Sequence, residues 1–594
     1  MEDQTMGWLS ILSPRELQES EYRNLSETTF HDLGLDRITQ HLTNKIEEQH
    51  MIRRVMTRLT ADPEVVQYRC DVFADLMRFP EMRNQMMDLL HRVHYLQDYV
   101  SLKRDFDKKD GAWDLLHRLA EISDYIECVE AMHLCLSKTA IQSEGLKHLR
   151  DAMAALYEDS AFAELKKDIA GLKASTANLK SVTLGINLNE RFEADSLGLI
   201  SINNKPFNQS HILSNFLTKI SSRDQVKDGN AWDGGYGYQQ VNQQDVNLTA
   251  GLEHFTRVAV AAANPLMGVG LGVYKTKETD TSNDIMHYMN RIVDQMLASV
   301  VKELKEVLNR YVTISIYPIT GLVPEFVYYI RWAEYMERLQ ELGLPFCKAN
   351  VSKEDISLRI MRAGGLYNLK LAVAAEQENQ RVVMDPKDDS EIQGFRTIVT
   401  NDLDFDPEHR VYILTGANRG GKTTITQAIG LLFVLAQGGI YVPAESFTFH
   451  PVDQICTHFP ADEDKTLDYG RLGEECSRFR ELYQDTTEKS LLLLNETFST
   501  TSFEEGYYIA RDASRAILKK GVRTIYNTHM HKLAEDLQEL RDPSCADQAA
   551  SLVMKSEKGR RSYKVMVAPP EGSSYAKDIA EKYGVTYEML TQNS

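Results

Sequence analysis

The sequence predicts a mixed fold: a mostly α-helical core and lever region followed by a C-terminal α/β domain. Three observations carry this. Apolar residues recur at steps of three and four over long stretches of the first 350 residues. From about Ser357 onward, short apolar runs alternate with helical stretches, the pattern of an α/β sheet. Between about Val182 and Val273 the helical pattern gives way to strand-like alternation and a glycine-rich polar piece. The 594 residues, 43% of them apolar, can fill large cores, and domains of about 100–200 residues imply three or four of them. We place them at 1–180, 181–280, 281–350 and 351–594.

In the first region, Leu115, Leu119, Ile122, Ile126 and Val129 make one helical stripe, and few Gly or Pro residues interrupt it. In the second, a mixed strand and loop insertion that suits a clamp or connector, Thr183–Leu188 and Leu197–Ile202 alternate as strands. The stretch Asp228–Tyr238 is an exposed loop whose aromatics either stack on bases or decorate an ordinary surface. The third region holds lever helices. Met289, Val293, Met296, Val300, Leu304, Val307 and Tyr311 keep one stripe until Pro318 and Gly321, and a second helix runs from about Pro324 to Leu342. Such a pair suits a long arm that carries rotation, or plain core packing. In the fourth, Val411–Thr415, Ser490–Leu494 and Val522–Tyr526 read as buried strands.

A net charge of −19 argues against a wholly basic nucleic-acid coat but leaves room for a local Lys/Arg patch. Seven cysteines without a CxxC pair point to reduced thiols rather than a disulfide framework or structural zinc. The start MEDQTMGWLSILS lacks the features of a signal peptide. Apolar runs such as Leu431–Ala436 fall far short of the ~20 residues that cross a bilayer. A cytoplasmic protein with no membrane partner is expected.

Gly416-Ala417-Asn418-Arg419-Gly420-Gly421-Lys422-Thr423 fits GxxxxGK[ST] between a strand ending at Thr415 and a helix from Thr424 to about Gln437. Glycines let such a loop turn its N–H groups onto phosphate oxygens, and the helix N-terminus adds positive potential. Lys422 would neutralise the β- and γ-phosphates of ATP, and the Thr423 hydroxyl would ligate Mg²⁺. The leucine strand ends in Asn495-Glu496. In an ABC-type ATPase site the residue closing this strand serves the Mg²⁺ shell, and the following Glu polarises the attacking water. Asn495 gives the metal no charge, which either weakens Mg²⁺ binding and slows turnover or is tolerated through an indirect contact. His529, ending the next strand, is placed to sense the γ-phosphate or to serve structure alone.

The C-terminal region resembles the MutS family. TGANRGGKTT, which includes Thr424, is similar to that family's TGPNMGGKST. Gly439–Glu445 resembles its GSYVPA turn, Leu494–Phe503 its MDEIGRGTSTF, Thr528-His529 its TH pair, and Gly572–Ala580 its SYGxxVA segment. Phe30–Asp36 and Tyr68–Phe73 look like the start of a MutS-type helical core in relatives without a mismatch-reading domain. The resemblance implies a dimer with two composite ATP sites. A loop of one subunit would cap the nucleotide of the other, matched here by Tyr469–Glu475, with Gly470 where the family has Ser and with Arg471 beside it; the alternative for this stretch is a simple helix N-terminus. It also puts Asn418 next to the nucleotide, and Ile398 or Val399 where an aromatic would stack on adenine. Phe-x-Glu, the family's mismatch wedge, does occur at Phe162–Glu164 and Phe503–Glu505, but outside any such domain. The expectation is therefore a dimeric MutS-like ATPase on branched or otherwise non-B-form DNA, homodimeric or paired with a related MutS-like protein, and not a mismatch reader. Two rivals stand beside it: a weakly hydrolysing nucleotide switch or scaffold in a heterodimer, and a non-DNA ABC-type ATPase.

Overall fold

The computed structural model describes residues 8–97, 112–176, 181–188, 190–191, 194–203, 238–239, 274–275, 302, 304–308, 321–374, 376, 398–417, 420–460, 470–541, 548–557, 560–570 and 583–591. Most of the polar loop 228–238, most of the first lever helix, Asn418, Arg419, Tyr469 and the segment 572–580 lie outside them. The chain divides into two compact units. One comprises residues 1–91, 134–152 and 318–594; the other comprises 92–133 and 153–317.

In the first unit, strands β1 (Arg23–Asn24) and β2 (Arg58–Leu59) pair within a helical block. The block contains α1 (Glu27–Asp32), α2 (Leu35–Leu42), α3 (Ile46–Thr57) and α4 (Pro63–Arg78). Local chemistry sets the starts of two of these. Ser26 accepts the Thr29 N–H to begin α1, and Asp62 accepts the Glu64 N–H ahead of Pro63 in α4. Three further helices, α5 (Pro80–Gln97), α6 (Ala112–Lys138) and α7 (Glu144–Glu158), contribute residues to both units, and α8 (Ser160–Thr176) belongs to the second. The second unit adds an antiparallel pair, β3 (Ser181–Leu188) and β4 (Ala194–Asn203), joined at β4 by β5 (Tyr238–Gln239) and β6 (Tyr274–Lys275). These strands contain the two runs expected from sequence.

The second lever helix is α9 (Val323–Glu341), within a residue or so of its expected limits. It has no solvated face along much of its length: Phe326, Tyr328, Tyr329, Trp332 and Tyr335 are all buried. Among the described residues no helix is long and apolar enough to cross a membrane.

The C-terminal part of the first unit is built on a six-stranded sheet. Its strands are β10 (His409–Thr415), β12 (Ile455–His458), β13 (Leu491–Asn495), β14 (Arg523–Asn527), β15 (Gln548–Glu557) and β16 (Arg560–Val567). The order is β12-β13-β14-β10-β15-β16, all parallel except the last pair. A smaller sheet, ordered β7-β11-β8-β9, uses Asn350–Val351, Ser446–Phe449, Met361–Leu366 and Asn401–Phe405.

The parallel strands are covered on both faces, which is why they read as unbroken apolar runs. Leu492 and Leu494 pack with Val411, Ile413 and Tyr526 against α11 (Gly470–Asp485) and α12 (Phe503–Lys520). Leu493 turns the other way, to α10 (Lys422–Gln437). There a Cβ on Gly430 would come within 2.8 Å of Leu493 and 2.6 Å of Leu33, so only glycine lets this helix lie so close. The helix starts two residues before its expected limit, at Lys422.

Candidate functional site

The carboxyl ends of β10, β13 and β14 and the start of α10 meet at one sheet edge, the place where open α/β sheets bind ligands. Gly421 sits at φ 96°, a conformation that favours glycine, and this turn releases the chain into α10. The Gly420 N–H donates to the Ala417 carbonyl at 3.0 Å. Lys422 is buried, and its Nζ lies 3.0 Å from the Gly416 carbonyl and 3.2 Å from that of Ala417. Burial pushes its pKa down, and Glu496 opposes the shift. The first amides of a helix have no acceptor within it, so the start of α10 offers an anion donors and positive potential together with this ammonium. Thr424 turns its carbonyl to the Asn368 amide at 2.8 Å.

Thr423 Oγ1 donates to Asn495 Oδ1 at 2.9 Å. Two hard oxygens side by side, next to a phosphate cradle, are the donor type Mg²⁺ takes, and the residues present fit that ion. A third residue joins them. Asn527, in register with Asn495 on the neighbouring strand, donates its amide to Asn495 Oδ1 and, at 3.3 Å, to Thr423 Oγ1.

Glu496 and His529 come together, His529 Nε2 lying 2.6 Å from Glu496 Oε1. His529 Nδ1 lies 3.5 Å from Lys422 Nζ. An ammonium has only hydrogens to offer, so Nδ1 is the accepting nitrogen and Nε2–H donates to the carboxylate. That hydrogen bond, helped by the nearby Lys422 charge, holds the Glu496 carboxyl below its usual range against the opposing effect of burial. His529 lies two residues past the end of β14, where Thr528 N–H still reaches the Leu414 carbonyl of β10.

The segment after β13 is tightly wound, with Glu496 at φ 52° and Phe498 at φ 65°. Its clamps come from other elements. Glu496 N–H donates to the Asn527 carbonyl at 2.8 Å, Tyr526 hydroxyl to the Thr497 carbonyl at 2.7 Å, and Phe498 N–H and Thr500 hydroxyl to the two oxygens of Glu475 at 2.7 Å each.

The sequence reading missed the parts played by Asn527 and Glu475. The available signal for Asn527 was an amide closing a buried strand beside the one that ends in Asn495. Gly470 and Arg471 open the first turn of α11. Ile398 and Val399 are half-buried in irregular chain.

Residues 412–593 match the family model for MutS domain V, and residues 61–342 match that for the MutS2 N-terminal domain. Among curated proteins, a DNA mismatch repair protein MutS of Chlorobium phaeobacteroides is 33% identical over 195 residues, 33% of this chain and 22% of the relative. Another of that name from Brevibacillus brevis is 35% identical over 181 residues, 29% of this chain and 21% of the relative. An Endonuclease MutS2 of Thermus thermophilus is 29% identical over 192 residues, 32% of this chain and 25% of the relative. The chain thus spans about a quarter or less of the length of these relatives. With a MutS2-type model matched ahead of a MutS domain V model, and the phosphate loop, acidic strand end and histidine gathered at one edge, the chain belongs to the MutS family.

Proposed function

We propose that this protein is a MutS-type ATPase that binds DNA under the control of ATP binding and hydrolysis, working as a dimer on branched or otherwise non-B-form DNA in the cytoplasm. The observation that carries the ATPase reading is the convergence of Lys422, Thr423, Asn495, Glu496 and His529. Lys422 and the loop from Gly416, with Asn418, Arg419, Gly420, Gly421 and Thr424, would hold the triphosphate. Thr423 and Asn495 would hold Mg²⁺, which when bound supplies neutralisation of phosphate charge. Glu496 would accept a hydrogen bond from the attacking water. Its depressed pKa makes it a weak base, suited to orienting and polarising water more than to removing a proton outright. His529 fixes that carboxylate and connects it to Lys422. Gly470 and Arg471, opening α11, would face the nucleotide of a partner subunit, either a second copy or a related MutS-like chain.

The DNA reading is supported by the relatives themselves, a DNA mismatch repair protein and an endonuclease. The Phe-x-Glu tripeptides at Phe162–Glu164 and Phe503–Glu505 fall in helices, α8 and α12, and Phe162 is buried. Asn495 also favours a second reading, a slow switch or scaffold that uses ATP binding more than turnover.

Steady-state hydrolysis with Glu496→Ala as control separates the two. An ATPase gives turnover that this variant lowers by about 10²-fold or more, whereas a switch binds ATP and shows no Glu496-dependent turnover. Gel shifts with duplex, four-way junction and single-stranded DNA across a salt series test the DNA reading. We expect junction binding that weakens with salt and responds to ATP; absence of binding to every form removes it.

A further inference from the structure

We propose that Asn527 is a positioning residue for the Mg²⁺ shell: it turns the Asn495 carboxamide so that the oxygen, and not the nitrogen, faces Thr423. The inference rests on the Mg²⁺–ATP reading above and adds a residue to it.

A carboxylate presents an oxygen whichever way it rotates. A carboxamide has one oxygen and one NH₂, and the NH₂ end repels a cation. An asparagine at the end of β13 therefore needs something to orient it, which an aspartate there would not. Parallel pairing of β13 and β14 sets Asn527 directly beside Asn495. The Asn527 NH₂ reaches both Asn495 Oδ1 and Thr423 Oγ1, and Thr423 adds its own hydroxyl to the same Oδ1. Two donors thus converge where only an oxygen satisfies them. Turning Asn527 over would set its oxygen against that of Asn495.

The arrangement has a structural cost. Asn527 has no exposed surface, and its own Oδ1 is buried without a hydrogen-bond partner. Packing alone would be served better by an apolar side chain, because a buried polar atom without a partner destabilises the fold. The amide's return lies in what its other end does for Asn495 and Thr423.

The test is calorimetric titration of ATP into the full-length protein, in EDTA and across a Mg²⁺ series. Asn527→Ala is expected to leave affinity in EDTA unchanged and to raise the Mg²⁺ concentration for half-maximal enhancement roughly tenfold, as for other residues that orient metal ligands. Asn527→Leu keeps the branched four-atom side chain without the donor and should show the same loss, which covers an alanine variant that fails to fold. The double variant Asn495→Asp/Asn527→Ala should recover the wild-type Mg²⁺ response, because a carboxylate needs no orienting. A wild-type Mg²⁺ response in Asn527→Ala or Asn527→Leu would overturn the proposal, and so would a double variant as impaired as the single one. A wild-type protein that binds no ATP in either condition would instead remove the functional reading on which the proposal rests.

Discussion

A carboxylate that polarises water works only while ionised, and at Glu496 the His529 hydrogen bond secures this. The sign of the pH effect follows. With its pKa depressed, Glu496 stays charged to lower pH than an ordinary glutamate. His529→Ala removes the largest cause of that depression and leaves burial, which pushes the other way. The acid limb of the pH–kcat profile should therefore move to higher pH in the variant, and an unmoved limb would detach His529 from Glu496. The residues of this site divide by how they were read. Lys422, Thr423, Asn495 and Glu496 each occupy a fixed place in a short motif, so spacing alone exposed them. Asn527 and Glu475 act on residues 32 and 23 positions away, through contacts that exist only once strands and helices have assembled.

Among elements, the turn after β13 and the helix α11 are joined by Glu475. Two non-glycine residues at positive φ, Glu496 and Phe498, each cost on the order of 1 kcal/mol or more, so the turn needs outside support. Glu475→Ala removes both hydrogen bonds to it and should lower kcat several-fold with little change in ATP affinity. Glu475→Gln keeps one accepting oxygen and should fall between; equal kcat in all three proteins would show that the turn holds itself. The helix α9 carries a second test. Glu325 is half-buried beneath the N-terminal segment and accepts from Ile11 N–H and Ser10 hydroxyl, yet desolvation raises its pKa from 4.5 to about 7. A raised carboxyl pKa means the folded state prefers the proton, so stability is fullest below about 4.5 and declines as pH rises through 7. The loss amounts to about 3 kcal/mol. Urea titrations from pH 5 to 8 should show that decline in the wild type and a flatter profile in Glu325→Gln; parallel profiles would count against it. Elements were the most legible level in the sequence. Apolar runs marked β10, β13 and β14 because both sheet faces are covered, and the three-four stripe marked the helices. The largely buried α9 was located by the break at Pro318 and Gly321 before it rather than by any polar face.

At the scale of the molecule, the phosphate-loop helix is held by the N-terminal helical block. Arg69 of α4 donates to the Leu12 and Gln437 carbonyls at 2.9 and 3.0 Å, tying the end of α10 to residues 368 positions away. Gln427 donates to the Asp32 carbonyl at 2.7 Å, Thr457 hydroxyl donates to the Asp32 carboxylate at 2.6 Å, and Leu33 lies against Gly430. The change of pattern near residue 350 is plain in the sequence because secondary structure changes there. Compactness follows another division, with residues 1–91 and 134–152 grouped with 318–594. Pattern reports local conformation and carries no record of which distant faces meet. The consequence for a dissected protein is direct. A fragment of residues 351–594 would expose the face of α10 that Leu33 covers and leave the Asp32 and Arg69 partners unsatisfied. Each such loss is worth about 1–3 kcal/mol, so the fragment should melt roughly 10 °C or more below the whole chain, or fail to stay soluble. Co-expression with residues 1–91 should recover a stable complex if these contacts suffice to hold the two pieces. A fragment that melts with the full-length protein would show that α10 needs no support from the helical block, and motion in that block would then have no route through these contacts to the nucleotide edge.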